Sequence, residues 1–133
     1  MRDMGYSATE FTNYSSECLI SDLNQNRLVI MSGNEGSSES GHAWIVDGYI
    51  KRIVRTITFN AIVGSGASQI EDLVTYYNHI NWGWDGCANG YFLGNVFDVM
   101  NASTYDNSPY SPSDYSLYQA DFKSYLQYSV IYR

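Results

Sequence analysis

The sequence predicts an α+β fold that is mainly β, an antiparallel sheet or half-barrel carrying one short helix. Three observations lead there. Apolar and polar residues alternate over His42–Tyr49 and again over Ile53–Phe59, the period of strands with two distinct faces. Thirteen tyrosines in 133 residues suit half-buried sheet positions, where the ring packs and the hydroxyl reaches water. Only one stretch, Ser15–Asn26, has apolar residues at the three-to-four spacing of a helix.

In that stretch Ser15 or Ser16 caps the start and Glu17 lies in the first turn. Cys18, Leu19, Asp22 and Leu23 set the spacing, and Arg27 ends it. Leu28–Met31 reads as a short apolar strand, followed by a flexible polar loop, Ser32–Gly41. In "HAWIVDGY", His42, Trp44 and Val46 point one way, while Ala43, Ile45 and Asp47 point the other. A second alternating strand spans Ile53–Phe59, and "VGSGASQ" breaks the pattern. Val74–Trp82 is a long strand, a Gly-rich turn follows, and Gly90–Leu93 returns. Asn101–Lys123, rich in Ser, Asn, Asp and Tyr with Pro109 and Pro112, is a long flexible loop. Tyr125–Tyr132 closes the sheet. The expected total is one helix and five or six strands, in a single domain spanning residues 1–133.

Bulk composition narrows the function. Hydrophobic residues make up 44% and charged residues 16%, so the chain can bury a core. Seven Lys and Arg against fourteen Asp and Glu give a net charge of -7. That argues against nucleic acid or an anionic membrane as partner. The densest basic cluster, Lys51, Arg52 and Arg55, is too small to count as a patch. No apolar run approaches the roughly 18 residues of a membrane span. No signal peptide opens the sequence, and the two cysteines, Cys18 and Cys87, do not make a disulfide framework.

The residues with chemical potential cluster around "GHAWIVDGY" and "NHINWGWDGCANGYF". His42 opens a strand after a glycine and a loop. That leaves one side of its ring accessible, as a general base requires. A base also needs a neighbour that fixes its tautomer, and a carboxamide or carboxylate commonly serves. Asn81 is a candidate, and Trp82 and Trp84 could wall the ring from water. The bland readings are a strand-end histidine and a hairpin with packed rings. His79 reads as a structural or surface histidine. Cys18 is most simply a packed helix side chain. Cys87, on a turn, is a poor nucleophile and a poor disulfide partner for Cys18. Cys18, Cys87, His42 and His79 lack the close ligand spacing of a zinc site.

Together the two motifs resemble the papain-like cysteine peptidases, whose second half carries a His-Ala strand and then an Asn/Trp/Gly segment ending in Gly-Tyr or Gly-Phe. The Trp-Gly-Trp after Asn81 is most similar to the streptopain family of secreted bacterial peptidases, over roughly Met4–Leu93. The resemblance implies the histidine-bearing half of the papain-like fold, with no metal or organic cofactor. His42 matches the catalytic histidine. Trp82 matches a tryptophan flanking it, where papain relies on an asparagine, and Asn81 is the nearest carboxamide. Trp84, with Gly41 and Ser40 ahead of the histidine, falls at substrate-binding positions. The resemblance also implies a protein or peptide substrate, a secreted or extracytoplasmic bacterial location, and a long loop over the active site.

The sequence departs from that family at the nucleophile. The papain order places a helix-borne Cys before the His, and nothing before His42 supplies it. The chain therefore reads as a C-terminal peptidase portion, inactive alone, whose partner is an N-terminal half. The face bearing His42, Trp44, Trp82 and Trp84 is expected to stand partly open and to promote self-association. The alternative is a noncatalytic β-sheet module stacking Tyr and Trp on glycans or peptides. A regulatory remnant that binds a related peptidase half is a third reading.

Overall fold

A computed structural model describes residues 5–36, 40–59, 68–106 and 120–133. They form one short helix on a single antiparallel sheet. The chain runs through β1 (Ser7–Ala8), β2 (Thr12–Asn13), α1 (Ser16–Asn24), β3 (Leu28–Glu35), β4 (Gly41–Phe59), β5 (Ser68–Asn81), β6 (Gly90–Leu93), β7 (Thr104–Tyr105) and β8 (Phe122–Tyr132). The sheet order is β1-β8-β3-β4-β5-β6-β7, with β2 also pairing β8. The final strand thus lies beside β3, with β2 and β1 along its other edge.

The helix forms where its capping residues predict. Ser15 is extended at the N-cap, and its hydroxyl accepts from the Cys18 N–H. Leu19 is buried, with Ile20 and Leu23 packed against the same core. Cys18 departs from expectation: it is exposed, one position off the buried stripe, so it is not a packed side chain. Cys87 is buried, and no disulfide joins it to Cys18.

Four strands are longer than their patterns indicate. β3 continues through Glu35, so the polar stretch after Met31 is a loop only beyond it. Gly33 allows this, because a Cβ there would press on the Trp44 ring and Leu126. The two alternating runs of β4 form one 19-residue strand whose ladder with β5 runs from Ile45↔Asn81 to Phe59↔Ser68. Lys51 and Arg52 do not interrupt it, and β5 already begins at Ser68. Phe122 and Lys123 belong to β8 rather than to the long loop. Near that loop's start, β7 pairs with Gly90 and Tyr91 of β6. Gly90 permits the approach, since a Cβ there would collide with the Thr104 carbonyl oxygen. The remaining loop positions, 107–119, lie outside the described residues, as does the expectation that they are flexible.

Trp44, Trp82, Phe92, Phe97 and Phe122 fill the core in an edge-and-face cluster. Trp44 lies 5.2 Å from Trp82 and 5.1 Å from Phe122, and Trp82 meets Phe92 edge-on at 5.4 Å. Trp44 is 2% exposed and Trp82 0%. The expectation of an open aromatic face at both residues is therefore wrong. Trp82 continues the inward period of Asn78 and Ile80 on β5, so its ring packs within the sheet's core layer instead of standing on the turn.

On the opposite face, His79 joins two segments. A register shift between Val46 and Gly48 makes Asp47 a bulge residue. Asp47 Oδ1 lies 2.5 Å from His79 Nδ1, and Asp106 Oδ2 lies 2.8 Å from Nε2. Burial alone would lower the His79 pKa, but the two carboxylates outweigh it and the net shift is upward. A raised folded pKa makes this stabilisation complete below the unfolded value of about 6.5 and removes it as pH rises through the folded pKa. The His79→Gln protein should therefore fall short of the wild type in thermal stability more at about pH 6 than at about pH 9. A deficit equal at both pH values, or larger at the higher one, would contradict the charged bridge.

Candidate active site

His42 enters β4 directly after Gly41, opposite Gly33 in the β3 ladder. Its ring lies on the core face, at the half-buried margin of the aromatic cluster. Trp84 stacks on it at 4.7 Å and 25°, Phe122 lies at 5.7 Å, and Trp44 at 6.5 Å. These planes leave the ring little freedom to rotate.

A main-chain group holds the histidine. His42 Nε2 lies 2.7 Å from the Trp82 carbonyl oxygen. A carbonyl only accepts, so Nε2 must carry the hydrogen. In the neutral ring, Nδ1 then keeps the lone pair, the state a base needs to take up a proton.

Two asparagines fix that carbonyl. Asn89 Oδ1 accepts from the Trp82 N–H at 3.0 Å. Asn81 Oδ1 accepts from the Gly83 N–H at 2.9 Å, closing a turn in which Gly83 has a φ of 79°. The Gly83 N–H and the Trp82 carbonyl belong to one peptide unit, so the Asn81 carboxamide holds from its N–H side the very peptide that meets His42, while Asn89 holds the peptide before it. Trp82 touches His42 through its backbone, and the ring beside the histidine is that of Trp84. Trp84 is half-buried, while Ser40 and Gly41 are exposed just ahead of His42.

Sequence reasoning missed two participants. Asn89 accepts from the Trp82 N–H, and its signal is one Asn among several in a turn-rich stretch. Phe122 packs beside His42 from the far end of the chain, at the edge of a segment read as loop. Neither cysteine is arranged as a nucleophile for this base. Cys87 is 0% exposed in the core, and Cys18 sits on the exposed side of α1. Among the described residues no group of three or more His, Cys, Asp or Glu side chains is gathered to hold a metal ion. No described helix is long and apolar enough to cross a membrane.

The Peptidase C10 family profile matches residues 2–92, a span containing α1, His42 and the whole Trp-Gly-Trp turn. No curated protein and no solved structure matches the chain significantly. The match covers more than half of the chain and ends just past the turn that holds the histidine, so this chain belongs to the Peptidase C10 family, the streptopain family of cysteine peptidases.

Proposed function

We propose that this chain supplies the histidine-bearing side of a cysteine endopeptidase active site, with the nucleophilic thiol coming from outside residues 1–133. The observation that carries the proposal is the His42 Nε2–Trp82 carbonyl bond, which presets the tautomer with a proton-accepting Nδ1. Nδ1 takes the proton of the cysteine thiol, and the thiolate attacks the peptide carbonyl. The resulting imidazolium gives its proton to the departing amine, leaving a thioester. His42 then takes a proton from water, the hydroxide displaces the thiolate, and the peptide acid is released. Trp84 keeps solvent from one face of the ion pair, while Ser40 and Gly41 border the substrate's approach.

The rival reading, a module that stacks aromatics on glycans, needs exposed rings. Trp44 and Trp82, two of its best candidates, are buried in the core. The 133-residue chain alone is expected to leave casein intact. Adding the cysteine-bearing half of a Peptidase C10 enzyme, in trans or fused, is expected to create thiol-dependent hydrolysis. Robust hydrolysis by the chain alone, abolished by alkylation and by Cys18→Ala or Cys87→Ala, would overturn the assignment.

A further inference from the structure

Beyond Gly48 on β4 and before Tyr77 on β5, the two strands leave the sheet as a two-stranded ribbon. β3 pairs with β4 only from Gly41 to Val46, and β6 pairs with β5 only from Tyr77 to Ile80. No described strand flanks the ribbon, and two-stranded ribbons are marginal in water without a covering layer. Directly opposed ladder residues share a face. One face therefore carries Ile53, Ile57, Phe59, Ile70 and Val74, at 53, 48, 79, 56 and 43% exposure. It continues the sheet's core layer: along β5, Ile80, Asn78, Tyr76, Val74 and Ile70 all have the same parity. Within the body α1 covers that layer. Past Tyr76 no described residue does.

We propose that this face docks on the same face of a second copy of the chain, the two ribbons antiparallel about a twofold axis. Charge marks the ribbon as the surface through which two copies can meet. Residues 48–77 hold three cations, Lys51, Arg52 and Arg55, against Glu71 and Asp72, a net +1. The rest of the chain holds four cations and twelve anions, a net -8. Among symmetric contacts between two copies, one through the ribbons repels least, and the antiparallel arrangement keeps the acidic bodies at opposite ends. The charged pair in mid-face, Arg55 with Asp72 at 2.8 Å, is already neutralised within each copy.

Shape adds a second reason. In this arrangement the far end of each described ladder, at Phe59 and Ser68, faces the base of the other. Phe59, the last residue of β4, is the most exposed of the large apolar residues. At the base lies a groove of about 300 Å³ between α1 and the sheet, lined by Ser16, Ile20, Val74, Tyr76 and Leu93. The knob of one copy thus meets the groove of the other, and the same contact recurs across the axis, as a closed twofold interface requires. A contact of one ribbon face is at the small end of specific interfaces, below about 1,200 Å² in total, so the dimer is reversible.

Light scattering after size exclusion, from about 1 μM to about 1 mM chain, tests this in the range where small interfaces dissociate. The wild type is expected to pass from monomer to dimer. Ile57→Lys is expected to weaken the dimer about tenfold or more, with its near-ultraviolet Trp signal unchanged. Leu73→Lys, on the ribbon's other face, is expected to leave it unchanged. A second measurement does not depend on a charge in the ribbon. With Cys18→Ser as background, Phe59→Cys combined with Ser16→Cys is expected to give a disulfide-linked dimer on mild oxidation. Within one chain the two positions are separated by about eight residues of strand, about 26 Å, too far to bridge. A wild type that stays monomeric throughout would overturn the proposal. So would equal weakening by Leu73→Lys, or a Phe59→Cys chain that cross-links equally fast without Ser16→Cys.

Discussion

The His42→Ala substitution is expected to lower kcat/KM by roughly four orders of magnitude or more when the chain works with its cysteine-bearing half. Members of a thiol–imidazole pair act as a unit, so loss of the base removes both thiol activation and protonation of the leaving amine. The effect should be chemical and not a failure to fold. His42 sits at the margin of the core, and its ring bonds one carbonyl that Asn89 and Asn81 brace independently. Asn89→Ala is expected to cost less, because it loosens only the peptide before the one that meets His42 and does not remove the base. Pre-steady-state acylation of a fluorogenic peptide, with circular dichroism of each variant, separates chemistry from folding. Wild-type turnover in folded His42→Ala protein would refute the proposed role.

The histidine was legible because its cues are local: a glycine, then a strand whose alternation sets Trp44 and Val46 inward beside it. Its orienting partner was not legible. A backbone carbonyl has no residue signature; the Asn81 carboxamide, which does, acts on His42 only through that peptide, accepting from its Gly83 N–H. Trp82 was misjudged because the Gly, Asp and Asn around it signal a surface turn. The period of two through Asn78 and Ile80 carries the opposite and stronger instruction, since burial of a large ring outweighs local turn preference. The sequence splits β4 into two strands because Lys51 and Arg52 interrupt the apolar pattern. On a strand exposed on both faces, charges are tolerated without breaking the ladder. Phe122 was hidden for a different reason: its contacts with Trp44 and His42 span about eighty residues of sequence, beyond the reach of any local pattern.

Trp82→Ala is expected to be the most destabilising single change near the site, costing about 3–5 kcal/mol. The ring is wholly buried and has aromatic neighbours on several sides: Trp44, Trp84, Phe92 and Phe122, at 5.2 to 5.7 Å. Removing it opens a cavity that stiff rings cannot readily collapse to fill. Domains of this size are commonly stable by only about 5–15 kcal/mol, so the variant should sit near the edge of folding. Trp82→Phe should cost clearly less. It keeps much of the ring, and the indole Nε1 has no hydrogen-bond partner among the described residues, so no bond is lost. Trp84→Ala should also cost less, because that ring is only half-buried, yet it removes the plane stacked on His42. The two tryptophans should therefore separate in assay. Trp82→Ala should act first on the melting temperature, and Trp84→Ala first on turnover in the completed enzyme. Thermal unfolding followed by near-ultraviolet circular dichroism decides the first half. A Trp82→Ala protein that melts with the wild type would show that the ring does not anchor the core.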